Sequence, residues 1–175
     1  NAEQINDHGN IVGTDSTNGQ RAVVWRGGAI REVGGLPGAL ASRGISINDR
    51  DVVLGNSELP SDSLFQKSRS FIWARGQLSE LPPLPPHTSS EGAGINDAGV
   101  VIGSSFTEGP RIATLWRNRV AVNVNDLVAA DDPLKPFVTL TEGRLINDRG
   151  EIVVLGNDSR APFSIGSYLL TPTVP

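Results

Sequence analysis

The chain has 175 residues, of which 38% are apolar and 19% charged, with 20 glycines, 12 prolines, no cysteine and no methionine. That length supports one domain with a real core, and the heavy load of turn residues suits many short strands better than long helices. The absence of cysteine excludes disulfides and thiolate chemistry, no apolar run approaches the roughly 20 residues of a membrane-crossing helix, and a net charge of −4 with arginines mostly set singly beside acids or glycines argues against a nucleic-acid partner.

In chain order, the first predicted strand ends at Ile5. Asn6-Asp7-His8-Gly9 then predicts a hairpin turn. Asn and Asp side chains close an Asx-turn on their own backbone, and glycine accepts the positive φ that such a turn requires. The Val/Ile-rich run from Ile11 to Gly13 is the second strand, and Arg21-Ala22-Val23-Val24-Trp25 ends the third. Gly28-Ala29-Ile30-Arg31-Glu32-Val33 alternates apolar and polar side chains, the pattern of a half-buried fourth strand.

The same series then returns. Ile47-Asn48-Asp49-Arg50-Asp51-Val52-Val53-Leu54-Gly55 leads to Arg69-Ser70-Phe71-Ile72-Trp73 and Gly76-Gln77-Leu78-Ser79-Glu80-Leu81. Ile95-Asn96-Asp97-Ala98-Gly99-Val100-Val101-Ile102-Gly103 leads to Arg111-Ile112-Ala113-Thr114-Leu115-Trp116 and the alternating segment 119–124. A fourth copy begins at Ile146-Asn147-Asp148-Arg149-Gly150 and reaches Ser167-Tyr168-Leu169-Leu170, after which no fourth strand follows. At Asp51 the turn lacks its glycine, which predicts strain or a variant turn there.

Between the asparagines the periods are 42, 48 and 51 residues, and all three tryptophans fall in one slot of the repeat. A four-stranded unit of this size cannot bury both faces alone, so neighbours must stack. Blade-length periods with a tryptophan per unit predict radial stacking. The expected fold is all-β: a single domain over 1–175 of β-propeller-type repeats, with about four antiparallel strands per blade. The copies run approximately over 1–40, 41–86, 87–127 and 128–175. Because the last copy is incomplete and long unpaired edges are avoided in folded proteins, further repeats upstream of Asn1 or a partner chain are expected to complete the propeller. A chain starting at Asn1 reads as processed or as a piece of something longer.

The repeated Ile-Asn-Asp-x-Gly-x-Val-Val-Gly with a downstream aliphatic-Trp resembles the HAF-type extracellular repeat family of bacteria. The tail is similar too, in Asn125-Asp126-Leu127, the Ile146-Asn147-Asp148 copy and Leu169-Leu170-Thr171-Pro172. The chain departs from that pattern at Asp51 and in lacking the His-Ala-Phe of the family's name. The resemblance implies an extracellular, cell-surface or periplasmic location and no defined activity.

No residue stands out as catalytic, cofactor-binding or metal-ligating, no cofactor is implied, and the binding residues are left unassigned. His8 occupies the variable turn position where other copies carry Arg50, Ala98 and Arg149, which reads as a solvent-facing place. His87 has no nucleophile or Asp near it in sequence, and two isolated histidines make a poor metal site. The Asn-Asp pairs suggest turn capping ahead of calcium ligation, since no stretch fits an EF-hand loop. Asp131-Asp132 reads as a solvated loop ahead of a cation or acid–base pair. Leu81-Pro82-Pro83-Leu84-Pro85-Pro86 reads as an interblade connection ahead of a polyproline ligand. Asn157-Asp158-Ser159 is a glycosylation sequon only in a eukaryotic source. Arg21, Arg69 and Arg111 recur once per copy, as structural ion pairs or as an anion-binding rim. The expected function is therefore a non-catalytic, secreted or surface-associated binding and scaffolding module. A protein or glycan is its expected partner, and an accessory subunit of a larger extracytoplasmic assembly is one form of it. The alternatives are a propeller-fold hydrolase or lyase, or a lectin-like glycan-binding module.

Overall fold

A computed structural model describes residues 1–62, 66–161 and 163–173. The first sheet is β1 (Ala2–Ile5), β2 (Ile11–Asp15), β3 (Arg21–Arg26) and β4 (Ala29–Gly34), side by side in that order. The second is β5 (Ala41–Ile47), β6 (Val53–Leu59), β7 (Lys67–Ala74) and β8 (Gln77–Leu81), and the third is β9 (Ser89–Ile95), β10 (Val101–Phe106), β11 (Ile112–Arg117) and β12 (Val120–Asn123). A short helix, α1 (Val124–Leu127), opens the connection to a three-stranded sheet of β13 (Val138–Ile146), β14 (Ile152–Asp158) and β15 (Ile165–Leu170). Every neighbouring pair is antiparallel. The all-β expectation and the strand order within each copy hold, with three strands in the last among the described residues. The one local difference is the segment 119–124, whose strand ends at Asn123. There the Asn123 side chain accepts the Asn125 N–H at 3.0 Å and turns the chain into α1.

The registers place the copies on one template. Ile11 faces Trp25, Val53 faces Trp73, Val101 faces Trp116 and Ile152 faces Leu170, so Leu170 fills the tryptophan slot of the fourth copy. The hairpin turns match too. The side-chain oxygens of Asn6, Asn48, Asn96 and Asn147 each accept the N–H four residues on, at 2.9, 2.9, 2.9 and 3.0 Å. Asp51 adopts φ 60°, against 76°, 77° and 77° at Gly9, Gly99 and Gly150. The turn is thus the same one and not a variant, held in a left-handed conformation that Asp tolerates better than most residues.

The sheets stack face to face in chain order. Their first strands lie against one another, β1 with β5, β5 with β9 and β9 with β13, as the inner strands of radially stacked blades do. The apolar cores lie between blades. Trp73 packs with Val12 and Val24 of the first blade, and Trp116 with Leu54 and Leu81 of the second. The third interface buries Ile102, Leu115, Leu140 and Val154. Each of these faces also has a point of close approach. A Cβ on Gly44 would lie 2.6 Å from Val12, one on Gly92 2.7 Å from Leu54, and one on Gly143 2.2 Å from Ile102. A knob on each blade therefore enters a glycine notch on the next, which fixes how closely blades approach.

The outer faces of the first and last blades lack this cover among the described residues. Ile5 is 60% exposed, whereas its counterparts Ile47 and Ile95 are 2% and 6% exposed. On the fourth blade Leu145, Ile165 and Leu169 are exposed, and Val153 is only half-buried where Val12, Leu54 and Ile102 are fully buried.

Candidate functional site

The Asn-Asp turns do more than cap hairpins. Asn6 Nδ2 donates to the Asn48 carbonyl oxygen at 3.0 Å, Asn48 Nδ2 to that of Asn96 at 2.9 Å, and Asn96 Nδ2 to that of Asn147 at 3.1 Å. In parallel, the Asp7 N–H donates to the Asp49 carboxylate at 2.8 Å, Asp49 N–H to Asp97 at 2.8 Å, and Asp97 N–H to Asp148 at 2.7 Å. Each interface thus carries the same two-point clasp between successive turns. The series is half-made at both ends. Asn147 Nδ2 folds back to the Glu151 carboxylate at 2.6 Å, and among the described residues nothing donates to the Asp7 carboxylate. The sequence held a signal for this: the turn itself uses the asparagine, yet the aspartate also recurs in all four copies.

Asp51 adds a further link across the first interface. Its carboxylate accepts Asn6 Nδ2 at 2.9 Å and Asn10 Nδ2 at 2.7 Å, and pairs with Arg26 at 3.5 Å. Burial pushes the Asp51 carboxyl upward, but the hydrogen bonds from Asn10 and Asn6 and the charge of Arg26 outweigh it and hold the group below its usual range.

The other candidates are dispersed. His8 is exposed, with its backbone N–H on Asn6 Oδ1, and the His87 N–H donates to the Leu84 carbonyl. Asp132 accepts the Leu134 N–H within its own loop, beside the exposed Asp131. The proline run lies on the third blade, where the Pro82 carbonyl accepts Trp116 Nε1 at 2.6 Å and the Leu84 N–H donates to Ser105 Oγ. Among the described residues no three His, Cys, Asp or Glu side chains gather as a metal would need.

Asp158 ends β14 and is gripped by Arg160, whose hydrogen bonds lower its carboxyl from 3.8 to about 2. Because this pKa is depressed, the pair contributes above the usual carboxylate range and is lost as pH falls toward 2. Arg160→Gln is expected to return the Asp158 midpoint toward 3.8 in an NMR carboxyl titration. An unmoved midpoint would show that the backbone, and not the guanidinium, sets it.

Arg21, Arg69 and Arg111 form no common rim. Arg69 pairs with Glu80 at 2.8 Å and Arg111 with Glu91 at 2.7 Å, whereas Arg21 donates to the Gln20 and Leu40 carbonyls. The third arginine stands five residues before its tryptophan and the others four, a one-residue step that puts it just ahead of β11 whereas Arg21 and Arg69 lie within β3 and β7.

The arginines that do gather are others. A groove of about 790 Å³ between the first two blades is lined by Arg26, Arg31, Arg50 and Arg75, with Asp51 the acidic residue among its walls. Arg26 and Arg31 lie over the Trp73 ring, 5.6 and 5.1 Å from its centroid. These residues are far apart in sequence and sit in unlike elements, so no spacing rule exposes them. A second hollow of about 670 Å³ lies under the connection after β12, where Asn125 clamps the Leu140 backbone at 2.8 and 2.9 Å.

No protein-family model matches the chain, and no curated protein does. Among solved structures, the chain is similar to the β-propeller domain of the Trilobed protease from Pyrococcus furiosus, a domain with an open velcro topology. The TM-score is 0.58 at 11% identity, over 98% of this chain. The fold is that of a β-propeller. The chain spans about half the length of that solved propeller, covering 50% of it, and at this identity the likeness speaks to fold alone.

Proposed function

We propose that this chain is a non-catalytic, secreted or surface-associated propeller module that binds its partner as part of a ring completed by further blades of the same repeat type. The observation that carries the reading is the half-made clasp. The fourth blade offers the Asn147 amide and the Asp148 N–H, and the first offers the Asn6 carbonyl and the Asp7 carboxylate. These are the donors and acceptors joined at every interior interface. The exposed Ile5 and Leu169 on the same two faces add apolar area of the kind that blade stacking buries. The extracytoplasmic location rests on the resemblance of the repeat to the HAF-type family. A binding role, ahead of a hydrolase or lyase, is supported by what lines the groove between the first two blades: guanidinium groups, with Asp51 already engaged by Asn6, Asn10 and Arg26.

The test is the intact mass, denatured and then native. A denatured mass above 18.5 kDa identifies flanking repeats as the completing blades, and a native mass above the denatured one identifies a second chain. If both equal 18.5 kDa, the completed ring is wrong.

A further inference from the structure

We infer that the groove between the first two blades is a binding site for an acidic polysaccharide, held by Arg31, Arg50 and Arg75. The inference gives a ligand class to the binding module proposed above and rests on that reading. Arg31 comes from β4 of the first blade, Arg50 from the Asn-Asp turn of the second, and Arg75 from the β7–β8 turn, where it takes φ 52°. Arg31 spans the interface, since its Nη2 lies 3.6 Å from where a Cβ on Gly76 would stand.

The charge balance of the groove is the central observation. Six ion pairs are formed among the described residues, and of the four groove arginines Arg26 alone takes part, through Asp51. Arg31, Arg50 and Arg75 are exposed and form no ion pair among those residues, so three guanidinium groups without a carboxylate share one concave surface. The whole chain carries −4, so this concentration of positive charge opposes its overall balance. Like charges gathered in a cleft repel one another and focus the field onto an anion. Guanidinium groups grip carboxylate and sulfate oxygens through paired N–H donors.

The rest of the lining selects the scaffold that carries those oxyanions. Gln77 and Ser79 add neutral hydrogen-bonding groups. The apolar part of the lining, Val52, Ile72 and Ala74, is half-buried, and none of the exposed large apolar side chains of the described residues lies there, so an acidic peptide would find little to anchor a side chain. Trp73 is 4% exposed and covered by two arginines, so its ring offers no platform for a nucleobase. A volume of about 790 Å³ lies within the range of ligand pockets and exceeds what a lone small oxyanion fills. Sugars bearing uronate or sulfate groups meet each of these conditions.

The test is affinity electrophoresis of the full chain through gels containing polygalacturonate or dextran sulfate, with neutral dextran, poly-glutamate and single-stranded DNA as comparisons. Retardation by one or both acidic polysaccharides is expected, weakening as salt rises, with the two polymers separating carboxylate from sulfate preference. The triple variant R31Q/R50Q/R75Q should lose at least about tenfold in affinity, and R117Q/R119Q, on the equivalent turn of the third blade, should not. If the triple variant does not fold by circular dichroism, Arg75→Gln alone, in an exposed turn, gives the reading. No retardation by either polysaccharide, equal retardation of the groove variants, or stronger retardation by poly-glutamate or DNA would each overturn the assignment. None of these outcomes bears on the intact-mass test, so the groove and the completed ring stand or fall separately.

Discussion

Replacing Trp116 by alanine is expected to lower the unfolding free energy by about 3–5 kcal/mol, among the largest losses of any single truncation in this fold. The ring is 1% exposed and lies between two blades, against Leu54 and Leu81 of the second blade and Ile95 and Val101 of its own. Its removal opens a cavity at an interface that Gly92 and Leu54 already hold at close approach, so the neighbours have little room to collapse into it. The indole also does polar work. Its N–H donates to the Pro82 carbonyl, and truncation leaves that acceptor in the interblade connection without its partner. Trp116→Phe separates the contributions, keeping much of the packing and losing the hydrogen bond, for about 1 kcal/mol from the bond itself. Urea unfolding followed by circular dichroism measures both. Hydrogen exchange should show faster opening of β8 in the alanine variant, because β8 and the connection after it rest on this side chain. A loss below about 1 kcal/mol for alanine would mean that the second and third blades are not held together by this contact.

Much of this architecture could be read from the sequence, because one template is written four times. The Asn-Asp turn fixed where the first hairpin of each blade lies, and the tryptophan fixed the end of the third strand. Even the degenerate fourth copy registers on Ile152 and Leu170. At Asp51 the missing glycine predicts strain or a variant turn, because local preference disfavours a left-handed non-glycine residue, and it is the strained form of the same turn that is found. The structure shows what outweighs that preference: Asn6, Asn10 and Arg26 converge on the Asp51 carboxylate, so interblade bonding offsets the backbone strain. The candidate site was far less legible. Arg21, Arg69 and Arg111 drew attention by recurring, and recurrence marked positions at the start of the third strand of their copies, or just ahead of it, with local partners. Arg31 and Arg75 recur in no slot and Arg50 only as Arg149 of the fourth copy, and only the docking of one blade on the next brings the three to a common groove. Periodicity reports the contacts shared by every interface, and a site built at one interface lies outside its reach.

The clasp between turns is testable by comparing two asparagines that are identical in local role. Asn48 is 5% exposed. Its oxygen accepts the Arg50 and Val52 N–H groups, and its amide reaches the Asn96 carbonyl of the next blade at 2.9 Å. Asn48→Ala leaves these buried groups unpaired and is expected to cost about 2–4 kcal/mol. Asn147 makes the same two turn bonds, but it is exposed and its amide bonds Glu151 instead of a following blade. In the lone four-bladed chain Asn147→Ala should therefore cost only about 1 kcal/mol, because water replaces what is lost. The gap between the two variants measures the clasp, and its behaviour tests the completed ring. If a second chain supplies the following blade, Asn147 becomes an interior clasp as protein concentration rises, and the gap should narrow. If flanking repeats supply it, the intact protein should show no gap at any concentration. A gap that persists unchanged at every concentration would leave the clasp standing and remove the ring, since Asn147 would then meet no following blade in solution either.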